Sequence, residues 1–152
     1  MAAAAPGAEL AFMRTWLLDT GPLVAYLDAR DSAHTSVATC LDRFTGELFT
    51  TSAVITEAMH FAVSSPTGPR LLTDFVTASG LTVFDFTQPP ELLAAADLME
   101  KYSDLPMDFA DATLVLLAEQ LQILDILSLD RRGFTVYRTR DRKPFHLVLD
   151  SS

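Results

Sequence analysis

Five carboxylates in this chain stand where chemistry could be done. Asp19 closes the apolar run Trp16-Leu17-Leu18 and opens a Thr-Gly-Pro corner, and Asp130 closes the run ILDILSLD. Glu57 lies in AVITEAMH, while Asp108 and Asp111 fall in the first turn of a helix expected after Pro106. Asp108 and Asp111 are three positions apart, so a helix carries them on one face. Carboxylates gathered in one place repel each other and raise one another's pKa unless a cation lies between them. Oxygen-only donors suit a hard divalent ion, Mg²⁺ or Mn²⁺. Each acid also has a plain structural use. Asp19 can brace its turn, Asp108 can cap a helix, and Asp111 can sit favourably near a helix start. Glu57, on a stripe with His60 and Ser64, can be surface, and Asp130 can be a turn residue before Arg131-Arg132-Gly133. Taken singly, none of the five chooses between these uses.

The elements that position them favour the chemical use. Residues 16–19 read as a short buried strand, and Gly21-Pro22 open a helix through Leu27. A helix over 32–44, a strand over 47–50 and a helix over 53–63 follow. Next come a helix over 69–79 stopped by Gly80, a strand over 81–86, and helices over 91–102 and 107–121. ILDILSL (123–129) reads as a strand, with TVYR and FHLVL as later strand candidates. Strands alternating with helices define an α/β domain with a mainly parallel sheet. In such a sheet ligands gather at the carboxyl ends of the strands. Asp19 and Asp130 are expected at such ends, with Glu57, Asp108 and Asp111 in early turns of helices.

The chain has 152 residues, 49% hydrophobic and 20% charged, with a net charge of −9. That balance is globular, no apolar run is long enough to cross a bilayer, and the overall charge argues against nucleic acid. The charge is segregated, however. Six of the eleven basic residues fall between Arg131 and Lys143, and residues 97–130 hold eight acids with Lys101 as their one base. Residues 1–12 lack a basic leader and read as a mobile extension ahead of MRTWLLD, leaving 13–152 as one domain. The single Cys40 excludes an internal disulfide, and a cytoplasmic location is expected. Cys40 and the three histidines show no zinc-ligand spacing. There is no Gly-x-Ser-x-Gly elbow, Walker A loop or Gly-x-Gly-x-x-Gly fingerprint. Asp19-Thr20-Gly21 does not fit an aspartic protease, because Pro22 and a helical run follow it in an α/β chain. Nor does it fit a haloacid-dehalogenase-like phosphatase, whose second Asp would stand at Gly21.

The segments LLDTGPLVAYLD, TTSAVITEAMH, DLPMDFADATLVLLAEQL and ILSLDRRGFTVYR, in that order, resemble the PIN-domain ribonucleases, specifically VapC-like toxins. PFHLVLD is similar to the closing strand of that family. The resemblance implies a three-layer α/β/α sandwich whose acids gather around Mg²⁺ or Mn²⁺. By position it makes Asp19, Glu57, Asp111 and Asp130 catalytic. Asp108 joins them as an additional metal ligand. It places Thr20 and Ser128 as supports of the ligands, Ser128 standing where many relatives have Thr. It implies metal-assisted hydrolysis of RNA, a homodimer, and a cognate antitoxin encoded alongside.

Within this reading Arg131, Arg132, Arg138 and Arg140 hold the RNA backbone. Two departures from the family pattern stand out: Gly133, where a polar or bulky residue is more usual, is expected to loosen the loop beside Asp130, and Asp125 interrupts an apolar strand. The competing functions are a non-catalytic PIN-like binding module and a DNA or flap nuclease. The first would be expected to lose acids that are present here, and the second needs helical elements this chain is too short to carry.

Overall fold

Thr15–Leu18 form the first strand because Trp16, Leu17 and Leu18 are all buried, covered on both faces of the sheet. This computed structural model describes residues 13–151, so the N-terminal extension expected over 1–12 lies outside the described residues. In chain order the elements are β1 (Thr15–Leu18), α1 (Thr20–Leu27), α2 (His34–Arg43), β2 (Glu47–Thr51), α3 (Ser52–Ala62) and α4 (Gly68–Ser79). They continue with β3 (Thr82–Phe84), α5 (Pro89–Lys101), α6 (Phe109–Leu121), β4 (Asp125–Leu127), α7 (Arg131–Phe134) and β5 (His146–Leu147), and a 3₁₀ turn (Val148–Ser151) ends the chain.

The five strands form one sheet in the order β3-β2-β1-β4-β5, parallel throughout. The chain leaves β1 outward through β2 to β3, then returns over α5 and α6 to insert β4 on the other side of β1. Right-handed crossovers therefore put α1–α4 on one face and α5–α6 on the other, giving three layers. The order reverses beside β1, which is where an open parallel sheet leaves a crevice at its carboxyl edge. Asp19 stands at that point.

α6 is the most deeply buried helix, with Ala110, Ala112, Thr113, Leu114, Val115, Leu117 and Ala118 all inside. Truncating a buried leucine such as Leu114 or Leu117 costs about 2–5 kcal/mol. The helix therefore cannot drift, and it holds Asp108 and Asp111 at its N-terminus. Pro22 falls in the first turn of α1, where its missing N–H is not needed.

The expected elements differ from the observed ones mainly at the C-terminal end. TVYR does not form a strand. Val136 and Tyr137 donate their backbone N–H groups to the Gly133 carbonyl, and Arg138 makes an isolated antiparallel bridge to Pro144. In FHLVL only His146 and Leu147 pair with β4 before the 3₁₀ turn begins. Asp125, unexpected in an apolar strand, begins β4 half-exposed and meets His146 Nδ1 across the strand pair at 2.9 Å.

Candidate active site

Asp19 follows β1 with an extended backbone and acts as N-cap of α1, Oδ1 accepting from Thr20 N at 2.8 Å. Its backbone N–H remains in the sheet, donating to the Leu127 carbonyl at 3.0 Å. From the end of β4, Ser128 Oγ donates to Asp19 Oδ2 at 2.7 Å and accepts from Asp130 N at 3.0 Å. Asp130 caps α7, with Oδ1 accepting from Gly133 N at 3.0 Å. Asp108 and Asp111 cap α6 reciprocally: Asp111 N donates to Asp108 Oδ1 at 2.8 Å, and Asp108 N donates to Asp111 Oδ2 at 3.1 Å. The plain structural uses foreseen for Asp19, Asp108 and Asp130 are therefore real, and they aim the side chains as well as stabilise the turns.

The acids feel one another. Burial pushes the Asp19 carboxyl up to about 6, with Asp108 and Asp130 adding to the rise against the two donors that oppose it. Burial and the charges of Asp108 and Asp19 push Asp111 up to about 8. Glu57, half-buried in α3, is also raised, by burial and then by Asp108. Asp19, Glu57, Asp108, Asp111 and Asp130 thus share one region although four stretches of chain supply them. Among the described residues, no three such side chains already converge at ligand spacing around a point. Like charges held without a counter-ion repel, which opposes that convergence.

The donor set is all oxygen and its charges are mutually unfavourable, which fits a hard divalent cation. A second observation agrees. Thr20 Oγ1 is buried and closes no hydrogen bond, the one such side-chain atom among the described residues. The acceptor within its reach is the Glu57 carboxylate, whose ionised form it favours, so this hydroxyl is directed at the acidic cluster.

Three further residues belong to the same assembly. Thr113 Oγ1 donates to the Ala110 carbonyl at 2.7 Å, so the 2.8 Å contact with Thr51 Oγ1 has Thr51 as donor. Thr51 in turn accepts from Val54 N at 3.3 Å. This chain of hydrogen bonds fixes the start of α3, which carries Glu57, to the first turn of α6. Isolated threonines in a sequence carry no sign of such pairing. The third is Tyr137, almost wholly buried at 1% exposure, whose hydroxyl faces Asp111, Asp130 and Asp108 and is raised by burial and their charges.

The basic residues separate. Arg131 pairs with Asp150, and Arg132 is exposed on α7 beside Asp130. Arg138 turns its guanidinium onto the carbonyls of Thr135, Val136 and Tyr137, so it holds the loop. Arg140 donates its backbone N–H to Glu119 Oε1 at 2.8 Å, which places it beside the far end of α6. Eight residues of helix separate Asp111 from Glu119, about 12 Å along the axis. Gly133 does not loosen its loop. A Cβ there would stand 2.4 Å from Asp130 Oδ2 and 2.7 Å from the Tyr137 hydroxyl, so the loop closes tightly because that atom is absent.

Comparison with known proteins agrees with this geometry. The PIN domain model matches residues 16–139. The chain is 32% identical over 124 residues to Ribonuclease VapC26 of Mycobacterium tuberculosis, covering 80% of this chain and 91% of the relative. Its fold is similar to the crystal structure of M. tuberculosis VapC20, a Sarcin-Ricin loop cleaving toxin, with a TM-score of 0.65 at 17% identity over 78% of this chain and 91% of that one. It is also similar to VapBC2 from Rickettsia felis bound to a promoter DNA fragment, with a TM-score of 0.50 at 13% identity over 76% and 86%. The acids near the sheet's switch point and the match across most of the chain have one meaning: this chain belongs to the PIN domain family, in its VapC-like branch.

Proposed function

We propose that this protein is a metal-dependent endoribonuclease and the toxin of a toxin–antitoxin pair. The observation that carries the proposal is the Ser128 hydroxyl, which joins Asp19 to the Asp130 turn at the carboxyl ends of the two central strands, with Asp111 near enough for the charge of Asp19 to raise it. Such a cluster is unfavourable in a protein that does not use it. Asp19, Asp111 and Asp130 would hold Mg²⁺ or Mn²⁺, with Asp108 and Glu57 completing the set directly or through water. A bound divalent ion activates water and offsets charge developing on the scissile phosphate. The chain's own work is to aim the carboxylates: Ser128 and Thr20 N orient Asp19, Gly133 N orients Asp130, and the reciprocal cap orients Asp108 and Asp111. A carboxylate of the set accepts the attacking water's proton.

RNA is the substrate we infer, as for VapC26, a ribonuclease, and VapC20, described as cleaving the Sarcin-Ricin loop. Arg132 beside Asp130 would meet a phosphate near the cut, while Arg140 would meet the strand farther along. A cognate antitoxin fits the apolar groove between α1, α3 and α4, about 440 Å³, bounded by Val24, Leu27, Phe61 and Leu71. Phe61 there is 53% exposed. We further propose one nuclease domain over 13–152, a homodimer and a cytoplasmic location; no helix among the described residues is long and apolar enough to cross a membrane.

Purified protein incubated with RNA and Mg²⁺ or Mn²⁺ tests the reading. Cleavage should need the ion and should vanish in D19N. RNA binding of equal strength by both proteins, with no cleavage by either, would instead establish a binding module.

A further inference from the structure

The loop after β4 contains a fitted pair that the sequence presents as two unrelated oddities. Gly133 sits inside the short helix α7, a position where glycine is locally unfavourable by about 1 kcal/mol relative to alanine. Something must require it, and the two nearest side-chain atoms identify the requirement. The place its Cβ would occupy lies 2.4 Å from Asp130 Oδ2 and 2.7 Å from the Tyr137 hydroxyl, with Tyr137 Cε2 at 2.8 Å. Neither neighbour can withdraw. Asp130 is held by Gly133 N through Oδ1, and Tyr137 is bound through its own N–H to the Gly133 carbonyl at 2.9 Å. The Tyr137 ring is clamped edge-on between Tyr102 and Phe134, each with its centroid 5.1 Å away.

A phenol held this rigidly does not need its oxygen for packing. A phenylalanine would fill the same aromatic nest and would avoid bringing a polar atom into it. The oxygen instead emerges at the acidic cluster, beside Asp130 and facing Asp111. We propose that Tyr137 is a positioning residue of the active site, its hydroxyl orienting the Asp111 and Asp130 carboxylates for the divalent ion through the gap that Gly133 leaves. The inference rests on the metal-nuclease reading above. It adds that Gly133 and Tyr137 act as one unit, and that a side chain at either position disturbs the other.

The test compares wild type with Y137F in two readouts, Mn²⁺ affinity by calorimetry and steady-state cleavage of RNA. Losing an outer hydrogen-bonding partner of a ligand typically weakens metal affinity or activity about 10- to 100-fold. Y137F is expected to bind Mn²⁺ about tenfold more weakly and to lose about tenfold in kcat, while KM for RNA changes less than about twofold. A merely structural role would lower the melting temperature and leave the Mn²⁺ affinity of the folded fraction intact. G133A is the second variant, and it decides the matter if Y137F does not fold. Every functional side chain is retained in G133A, yet its methyl crowds the hydroxyl and Asp130, so Mn²⁺ affinity and kcat should fall in the same way. Unchanged Mn²⁺ affinity and kcat in the folded variants would overturn the role of Tyr137 while leaving the nuclease reading intact. Wild type that neither binds Mn²⁺ nor cleaves RNA would overturn both.

Discussion

Ser128 Oγ donates to Asp19 Oδ2 at 2.7 Å, a bond between residues 109 positions apart. The same oxygen accepts from Asp130 N at 3.0 Å, so one hydroxyl joins the acid after β1 to the acid after β4. Asp19 is 7% exposed and Ser128 2%, so water has little access to the bond between them. The two central strands are therefore tied at the point where their carboxylates emerge from the sheet.

Replacing Ser128 by alanine removes that tie. Asp19 loses the donor that favours its ionised form, and the Asp130 turn loses an acceptor. RNA cleavage is expected to fall about 10- to 100-fold, with Mg²⁺ required at higher concentration. Ser128→Thr keeps the hydroxyl and should retain most activity. Full activity in the alanine variant, measured over a Mg²⁺ titration, would show that the hydroxyl does not orient the site.

Asp19→Asn and Asp111→Asn should abolish cleavage and, without metal, make the fold more stable. Asp19 is raised from 3.8 to about 6 chiefly by burial. Each pKa unit corresponds to about 1.4 kcal/mol, and the amide forfeits part of the capping, so a gain of about 1–2 kcal/mol is expected. The Ser128 hydroxyl can turn to accept from the new amide if that group faces it. Chemical unfolding in the presence of a chelator measures this. A loss of stability in both variants would mean that the acids do not burden one another.

Stability of the metal-free protein should fall as pH rises. Asp19 and Asp111 have folded-state values of about 6 and about 8, against 3.8 for an unperturbed carboxyl. Between those limits the folded chain binds more protons than the unfolded one, so raising pH favours unfolding. The contribution is fully present below about pH 4 and is lost as pH climbs through the two folded values. Melting in chelator should therefore be higher near about pH 5 than near about pH 9. Added Mn²⁺ should reverse the trend, since an ion competes with those protons and binds better as they leave. The same order of melting temperatures with and without Mn²⁺ would contradict a shared acidic ion site.

The sequence disclosed the parts whose signal is local. Asp19, Asp108 and Asp130 each follow an apolar strand or a proline and precede a helix, so their places could be read from the residues around them. Parallel topology followed from the alternation of strands and helices. The C-terminal loop could not be read this way. TVYR has the composition of a strand, but the Gly133 carbonyl takes both the Val136 and Tyr137 N–H groups and turns the chain. Composition placed Arg138 with the RNA-binding basics, whereas its guanidinium faces three backbone carbonyls. Asp125 looked misplaced because its partner His146 is 21 residues away. In each case the deciding contact is nonlocal, and residue type alone does not reveal it.

The Thr51–Thr113 contact tests whether the two acid-bearing helices are fixed together by polar bonds or by apolar packing alone. Thr113→Val keeps the shape of the side chain and removes both of its hydrogen bonds, to the Ala110 carbonyl and from Thr51. The Thr51 hydrogen is then left buried with no acceptor at its former partner. An unmade bond of that kind costs about 1–3 kcal/mol, and the unfolding free energy should drop by that much. Thr51→Val leaves the Thr113 bond to Ala110 intact but strips the acceptor for Val54 N. It should destabilise by a similar amount. Because Thr51 and Thr113 act through one chain of bonds, the double variant should lose less than the sum of the two singles. Strict additivity in urea unfolding would show that the hydroxyls are energetically independent, and Glu57 would then owe its place opposite Asp108 to apolar packing between α3 and α6.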